Sequence, residues 1–195
     1  MKIGVLALQG AFIEHEKMLK RLGVEAIEVR LPKDLDDAAG VIIPGGESTT
    51  IGKLAVQYNL IEPLRDLAKA GRPLWGTCAG LIFMAKDVGR DQPRLGLMDV
   101  KVQRNAFGRQ VDSFEANIRI KGVDGDKPFH AIFIRAPLIE SVGVGVDVLA
   151  RVEKDNEEVI VAAQQGNLLV TSFHPELSND ARFHRYFVKM AESKT

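Results

Sequence analysis

The chain of 195 residues has a single cysteine, Cys78. One cysteine excludes an intrachain disulfide and a cysteine-rich zinc site. Charge of one sign is lacking too, because 26 basic residues are matched by 26 acidic ones. That balance argues against a broad basic surface for nucleic acid or for an anionic membrane. No apolar run approaches the ~20 residues of a membrane span. The first residues, MKIGVLALQG, carry one lysine and a short apolar stretch, and lack the shape of a signal peptide. A reduced, cytoplasmic setting is expected. No metal set and no cofactor motif is visible. The 46% of apolar residues suffices for a core without disulfides or structural metal, and the length fits one domain over 1–195.

What is present alternates. Residues 3–8 form a short apolar run, as expected of a strand covered on both faces. Phe12, His15, Leu19 and Leu22 then follow a helical spacing, with Gly23 as a stop. Strands are expected at 24–29 and at 40–43, the latter cut off by Pro44-Gly45-Gly46. Ser48, Thr49 and Thr50 can cap a helix reaching about Tyr58. A further helix is expected at about 61–70. Pro73-Leu74-Trp75 leads into Gly76-Thr77-Cys78-Ala79-Gly80, and 81–86 reads as helix. This order predicts an α/β fold with three layers: an open, mostly parallel, flavodoxin-like sheet with helices on both faces. The second half alternates differently. Residues 97–120, 131–135 and 147–153 are strand-like, and 158–164 and 168–173 flank a Gly166-Asn167 hairpin turn. Antiparallel strands are therefore added in the C-terminal half. The last helix is expected at about 179–192, with Phe183, Phe187, Met190 and Ala191 on one face. Residues 87–96 read as a surface loop.

Cys78 lies in G-x-C-x-G between a strand and a helix, the context of a nucleophile elbow. Small neighbours let the backbone pass closely, and the following helix start favours a thiolate. Alone, a cysteine is more often a small buried hydrophobe. Of the four histidines, His15 reads as a core-edge residue, His130 as a loop residue without a role, and His184 as a surface or packing residue. His174 ends an apolar strand and precedes Pro175, which favours extended geometry. In an extended chain Glu176 would project to the same side and orient the imidazole. Alone, His-Pro-Glu could be a polar strand end. The Pro44-Gly45-Gly46 turn belongs at the same carboxyl edge as Cys78. The N–H groups of Gly46 and Ala79 are the candidate oxyanion donors; without the cysteine the turn would pass as an ordinary glycine turn.

Together, the Pro-Gly-Gly turn, G-x-C-x-G and His-x-Glu resemble the class I (triad) glutamine amidotransferases. GVLALQG at 4–10, PGGESTT at 44–50, GTCAG at 76–80, RNAFGRQVDSFE at 104–115, FIRAP at 133–137 and SFHPE at 172–176 narrow the likeness. They resemble the glutaminase subunits of pyridoxal 5'-phosphate synthase over nearly the whole chain. The resemblance implies hydrolysis of L-glutamine to glutamate and ammonia through a γ-glutamyl thioester on Cys78, with His174 and Glu176 completing the triad. It implies glutamine contacts from Gly46, Glu47, Ser48, Arg104, Ile134 and Arg135. The partner it implies is a (β/α)8-barrel synthase subunit that receives the ammonia and activates the glutaminase, in a complex of twelve subunits of each kind. Pyridoxal phosphate is then a product, not a cofactor of this chain. The Gly45–Gly46 peptide is expected to be misoriented in the free chain and to turn on docking, since glycine permits such a flip cheaply. Other readings are the glutaminase of another complex, such as imidazole glycerol phosphate synthase, a stand-alone cysteine hydrolase, and a non-catalytic docking subunit.

Overall fold

Alternation along the buried strands sets the layers. In Ala38–Ile43 (β3), Val41 and Ile43 join one apolar cluster while Ile42 joins another. In Leu74–Thr77 (β4), Leu74 and Trp75 divide in the same way. Successive side chains of a strand point to opposite faces, so each strand feeds two cores at once. The computed structural model describes residues 1–104, 113–123, 125, 127–154 and 156–193. Most of the RNAFGRQVDSFE motif, 105–112, lies outside them.

The large sheet has ten strands. Lys2–Leu6 (β1), Glu25–Val29 (β2), β3 and β4 are joined by Ala85–Asp87 (β5), Met98–Gln103 (β6), Leu138–Val142 (β9), Asp147–Lys154 (β10), Glu157–Gln165 (β11) and Leu168–Thr171 (β12). Their order is β2-β1-β3-β4-β12-β11-β9-β6-β5, with β10 also paired to β11. From β2 to β12 every pairing is parallel. From β12 to β6 the pairings are antiparallel, and β5 pairs parallel with β6 at the edge. Ser113–Ile118 (β7) and Phe129–Ile134 (β8) form a separate antiparallel ribbon.

On one face lie helices Ser48–Gln57 (α2), Ile61–Lys69 (α3) and Ala79–Met84 (α4). They bury Ile51, Leu64, Leu67 and Phe83 with Val41, Ile43 and Leu74. On the other face lie Phe12–Arg21 (α1) and Arg182–Glu192 (α5). Leu19, Phe183 and Phe187 pack there against Ile42 and Trp75, together with Phe129 and Phe133 of the ribbon. The expected three-layer, mostly parallel architecture is therefore the observed one, with its antiparallel strands in the C-terminal half. The last helix starts at Arg182 instead of 179. Four elements were not expected: β5, β9 and short 3-10 turns at Pro32–Leu35 and Pro175–Leu177. His130 lies on β8 and not in a loop, exposed and 2.8 Å from Glu115. Among the described residues, no helix is long and apolar enough to cross a membrane.

Candidate active site

Parallel neighbours end at the same edge, and this edge collects the chemistry. β3 leads to Gly45-Gly46, β4 to Cys78, and β12 to His174. Because β3, β4 and β12 are adjacent, their following residues meet side by side. Open α/β sheets hold ligands outside the carboxyl ends of their strands in this way.

Cys78 occupies the turn between β4 and α4 with φ 49° and ψ −103°, a backbone conformation that side chains avoid. The flanking glycines are required by distance. A Cβ on Gly76 would lie 2.5 Å from the carbonyl carbon of Gly80, and one on Gly80 would lie 2.1 Å from the oxygen of Ile43. The elbow is thus wedged between its own helix and β3. Cys78 is nearly buried. Its N–H donates to Thr171 O at 2.8 Å, and its thiol lies 3.9 Å from Ile134 O. Ala79 opens α4, where the first amides of a helix have no carbonyl within the helix.

His174 Nδ1 lies 2.6 Å from Glu176 Oε1. The contact is not made by an extended chain, as expected from Pro175. Residues Pro175–Leu177 form a 3-10 turn, closed by Leu177 N–H on His174 O at 3.2 Å. The turn folds the carboxylate back under the ring and into the protein. Burial opposes charge on His174, but hydrogen bonds to Cys78 and Glu176 and their negative charge outweigh it, raising the His174 pKa to about 10. Burial likewise opposes ionisation of Glu176, yet His15 and His174 hold its pKa below the usual carboxylate value. An imidazolium backed by a carboxylate therefore faces the sulfur, the arrangement that stabilises a thiolate.

A cleft of about 500 Å3 opens above this pair. Gly46, Glu47, Ser48, Cys78, Ala79, Arg104, Ile134, Arg135 and His174 all line it. Glu176 sits behind it, buried. The structure thus brings together every residue proposed from the sequence, with one changed assignment. Glu47 was expected among the glutamine contacts, and Ser48 to Thr50 were expected to cap α2. Instead Glu47 is itself the cap. Its oxygens accept from Thr49 N–H at 3.0 Å, Thr50 N–H at 2.7 Å and the Thr50 hydroxyl at 2.8 Å. Desolvation raises its pKa, but these donors lower it further, to about 2. Arg104 Nη1 donates to Gln92 Oε1 at 2.6 Å, and its Nη2 lies 3.7 Å from Glu47 Oε1. Arg135 has a positive φ of 43°.

The cap makes a stability prediction. Glu47→Ala should cost about 1 kcal/mol at neutral pH, the usual worth of an N-terminal cap. Because the folded pKa is depressed, that contribution is present above about pH 4.5 and is lost as pH falls toward 2. Chemical denaturation at pH 7 and pH 3 checks it: the difference between wild type and variant should shrink at the lower pH.

Two contributions escaped the sequence reading. Gln9 Oε1 accepts from Glu47 N–H at 2.8 Å and so fixes the glycine turn. Gly45 O accepts from Ala11 N–H at 3.0 Å. In a trans peptide the N–H lies opposite the C=O, so the Gly46 N–H points away from Ala11. His15 and His184 are the other omission. Both are fully buried beneath the site, and His184 is not at the surface. Among the described residues, no three His, Cys, Asp or Glu side chains are grouped to hold a metal ion.

A family model described as the SNO glutamine amidotransferase family matches residues 5–193. The chain belongs to the SNO glutamine amidotransferase family. Among its relatives is "Pyridoxal 5'-phosphate synthase subunit PdxT" of Moorella thermoacetica, 58% identical over 97% of this chain and 99% of that protein. The protein of the same name from Herpetosiphon aurantiacus is 57% identical over 96% and 99%. A solved structure titled "Crystal structure of glutamine amidotransferase" superposes with a TM-score of 0.91 at 49% identity, covering 97% of this chain and 98% of that one. "Structure of PurLQS from Thermotoga maritima" superposes with a TM-score of 0.72 at 16% identity and shares the fold alone.

Proposed function

We propose that this amidotransferase chain hydrolyses L-glutamine through Cys78, His174 and Glu176, as the glutaminase subunit of pyridoxal 5'-phosphate synthase. One observation carries the reading: a strained cysteine at a strand–helix elbow faces a histidine that is held, 2.6 Å away, by a buried carboxylate. The Cys78 thiolate attacks the carboxamide carbon of glutamine. The oxyanion forms beside the N–H groups of Gly46 and Ala79. His174 gives its proton to the departing nitrogen, ammonia leaves, and a γ-glutamyl thioester remains. His174 then takes a proton from water, which attacks the thioester and releases glutamate and the thiolate. Glu176 keeps the imidazole in one tautomer and supports its charge.

In the cleft, Arg104 and Arg135 supply the cationic chemistry for the substrate α-carboxylate. The Gly46–Ser48 backbone and the Ile134 carbonyl offer polar contacts to the rest of the amino acid. Glu47 acts through its position at the cleft, its carboxylate being engaged by α2. The ammonia passes to a (β/α)8-barrel synthase subunit, in an assembly of twelve subunits of each kind. That partner activates the glutaminase. If docking turns the Gly45–Gly46 peptide, it must break the bond from Ala11 N–H to Gly45 O. Identity near 57% to synthase subunits over nearly their whole length favours this partner over imidazole glycerol phosphate synthase, and the assembled triad disfavours a purely docking role.

Glutamate release tests the reading. The synthase subunit should stimulate hydrolysis by this chain roughly tenfold or more, within the ordinary range of coupling between two sites. Equal rates with and without it would remove the proposed partnership, and no hydrolysis in either case would remove the activity.

A further inference from the structure

Glu176 has two carboxylate oxygens, and His174 uses one. Oε1 bonds His174 Nδ1, whereas Oε2 is buried without a hydrogen-bond partner among the described residues. A buried carboxylate oxygen needs a donor. The group that faces it is His15 Nε2 of α1, at 3.4 Å. The other nitrogen of His15, Nδ1, lies 2.9 Å from Nε2 of His184 on α5. His184 Nδ1, at the far end, is buried and unpartnered. Trp75 closes the group with ring contacts to both histidines, at 5.6 Å and 4.9 Å between centroids.

The two ends fix the direction of this chain. A carboxylate accepts only, so His15 Nε2 must carry the hydrogen. His15 Nδ1 is then a lone pair and must receive a hydrogen from His184 Nε2. His184 Nδ1 is left as a bare lone pair, which is less costly to orphan than an N–H. The opposite direction would set a lone pair of His15 against the carboxylate. Thr77 Oγ1, 3.3 Å away, is the hydrogen-bonded partner of His15 Nε2, and the charged Glu176 Oε2, at 3.4 Å, faces the same nitrogen.

We propose that His15 and His184 are positioning residues for the triad: His184 Nε2–H donates to His15 Nδ1, and His15 Nε2–H donates to Glu176 Oε2, fixing the carboxylate that holds His174. The proposal rests on the catalytic reading of Cys78, His174 and Glu176 above. It requires both histidines to be neutral. Burial disfavours their charged forms and lowers both pKa values. The charged and titratable groups facing His15 are Glu176 and His174 from the 3-10 turn, Glu14 from its own helix, and His184 from α5; Arg21 also acts on His184. The carboxylates favour charge on His15, and burial outweighs them.

Two experiments decide it, and the first needs no variant. Long-range 1H–15N spectra of the full chain with labelled histidine should show His15 and His184 as neutral Nε2–H tautomers at pH 7. An Nδ1–H tautomer or an imidazolium at His15 overturns the proposal. The second compares His15→Gln with His15→Asn, which place an amide nitrogen near the Nε2 and Nδ1 positions respectively. Both are buried polar replacements, but only glutamine can donate to Glu176. In the complex with the synthase subunit, His15→Asn should lose about tenfold or more in kcat, the factor carried by one hydrogen bond to a charged group. His15→Gln should restore most of it. Alkylation of Cys78 by iodoacetamide, followed against pH, should shift in His15→Asn and return toward wild type in His15→Gln, because the apparent midpoint belongs to the Cys78–His174 pair. Equal behaviour of the two variants overturns the proposal. If the wild type hydrolyses no glutamine, the functional reading fails, while the tautomers and the alkylation profile still test the hydrogen-bond chain.

Discussion

Cys78→Ala should abolish glutamine hydrolysis while leaving a folded protein that is nearly as stable as the wild type. The rate loss should be about 10^4-fold or more, since no other group in the cleft can form the thioester and nucleophile deletions in triads are of this size. The stability cost should be small, because the thiol is a small group whose polar contacts are to the His174 ring and, at 3.9 Å, to the Ile134 carbonyl. Cys78→Gly sharpens the argument. The backbone at φ 49° and ψ −103° is disfavoured for any residue with a Cβ and natural for glycine. Glycine should therefore be more stable than alanine here by about 1 kcal/mol or more, against its usual deficit in ordered structure. Thermal melts of the two inactive variants measure this directly. An alanine variant as stable as the glycine variant would mean that the elbow stores no strain. A Cys78→Ala protein that still released glutamate would end the claim that Cys78 is the nucleophile.

The elbow was legible because its determinants are local. A Cβ at Gly76 or Gly80 would clash with atoms of the adjoining helix and strand, so the sequence spacing itself encodes the close approach. The parallel half was legible from short apolar runs separated by helical spacing. β9 was not, because only Leu138 and Ile139 of its five residues are buried; half-solvated strands admit polar residues and lose their signature. The cap of α2 was misassigned to Ser48–Thr50 because glutamate is an unusual cap, and only the fold shows both Glu47 oxygens turned onto α2. His15 and His184 were illegible as a pair. Their contact spans 169 residues of sequence, and each alone satisfies the helical pattern of an ordinary buried face. Local steric requirements leave marks in a sequence, whereas a buried polar contact between two distant helices leaves none that periodicity can find.

Gly45→Ala should cost nearly as much activity as removing His174, although residue 45 carries no reacting group. Its backbone lies outside the positive-φ region, so alanine meets no conformational penalty there. The obstacle is space. A Cβ at 45 would lie 2.4 Å from His174 Cε1, 3.2 Å from His174 Nδ1 and 3.3 Å from Cys78 Cβ. The ring must move, and any movement disturbs the 2.6 Å contact to Glu176. Removing a positioned general base costs typically about 10^2- to 10^4-fold, and a loss in that range is expected. Stability should fall by only ~1–3 kcal/mol, the usual cost of overpacking. A double-mutant cycle separates this from general damage. If alanine acts by displacing the imidazole, Gly45→Ala should cost nothing further in a His174→Ala background, where the obstructed ring is absent. Additive losses would instead place the effect in the glycine turn, through the Gly46 N–H beside the oxyanion. Full activity in the single variant would show that His174 can reach Cys78 from a different rotamer, and that the close packing of the turn against the ring is not needed for catalysis.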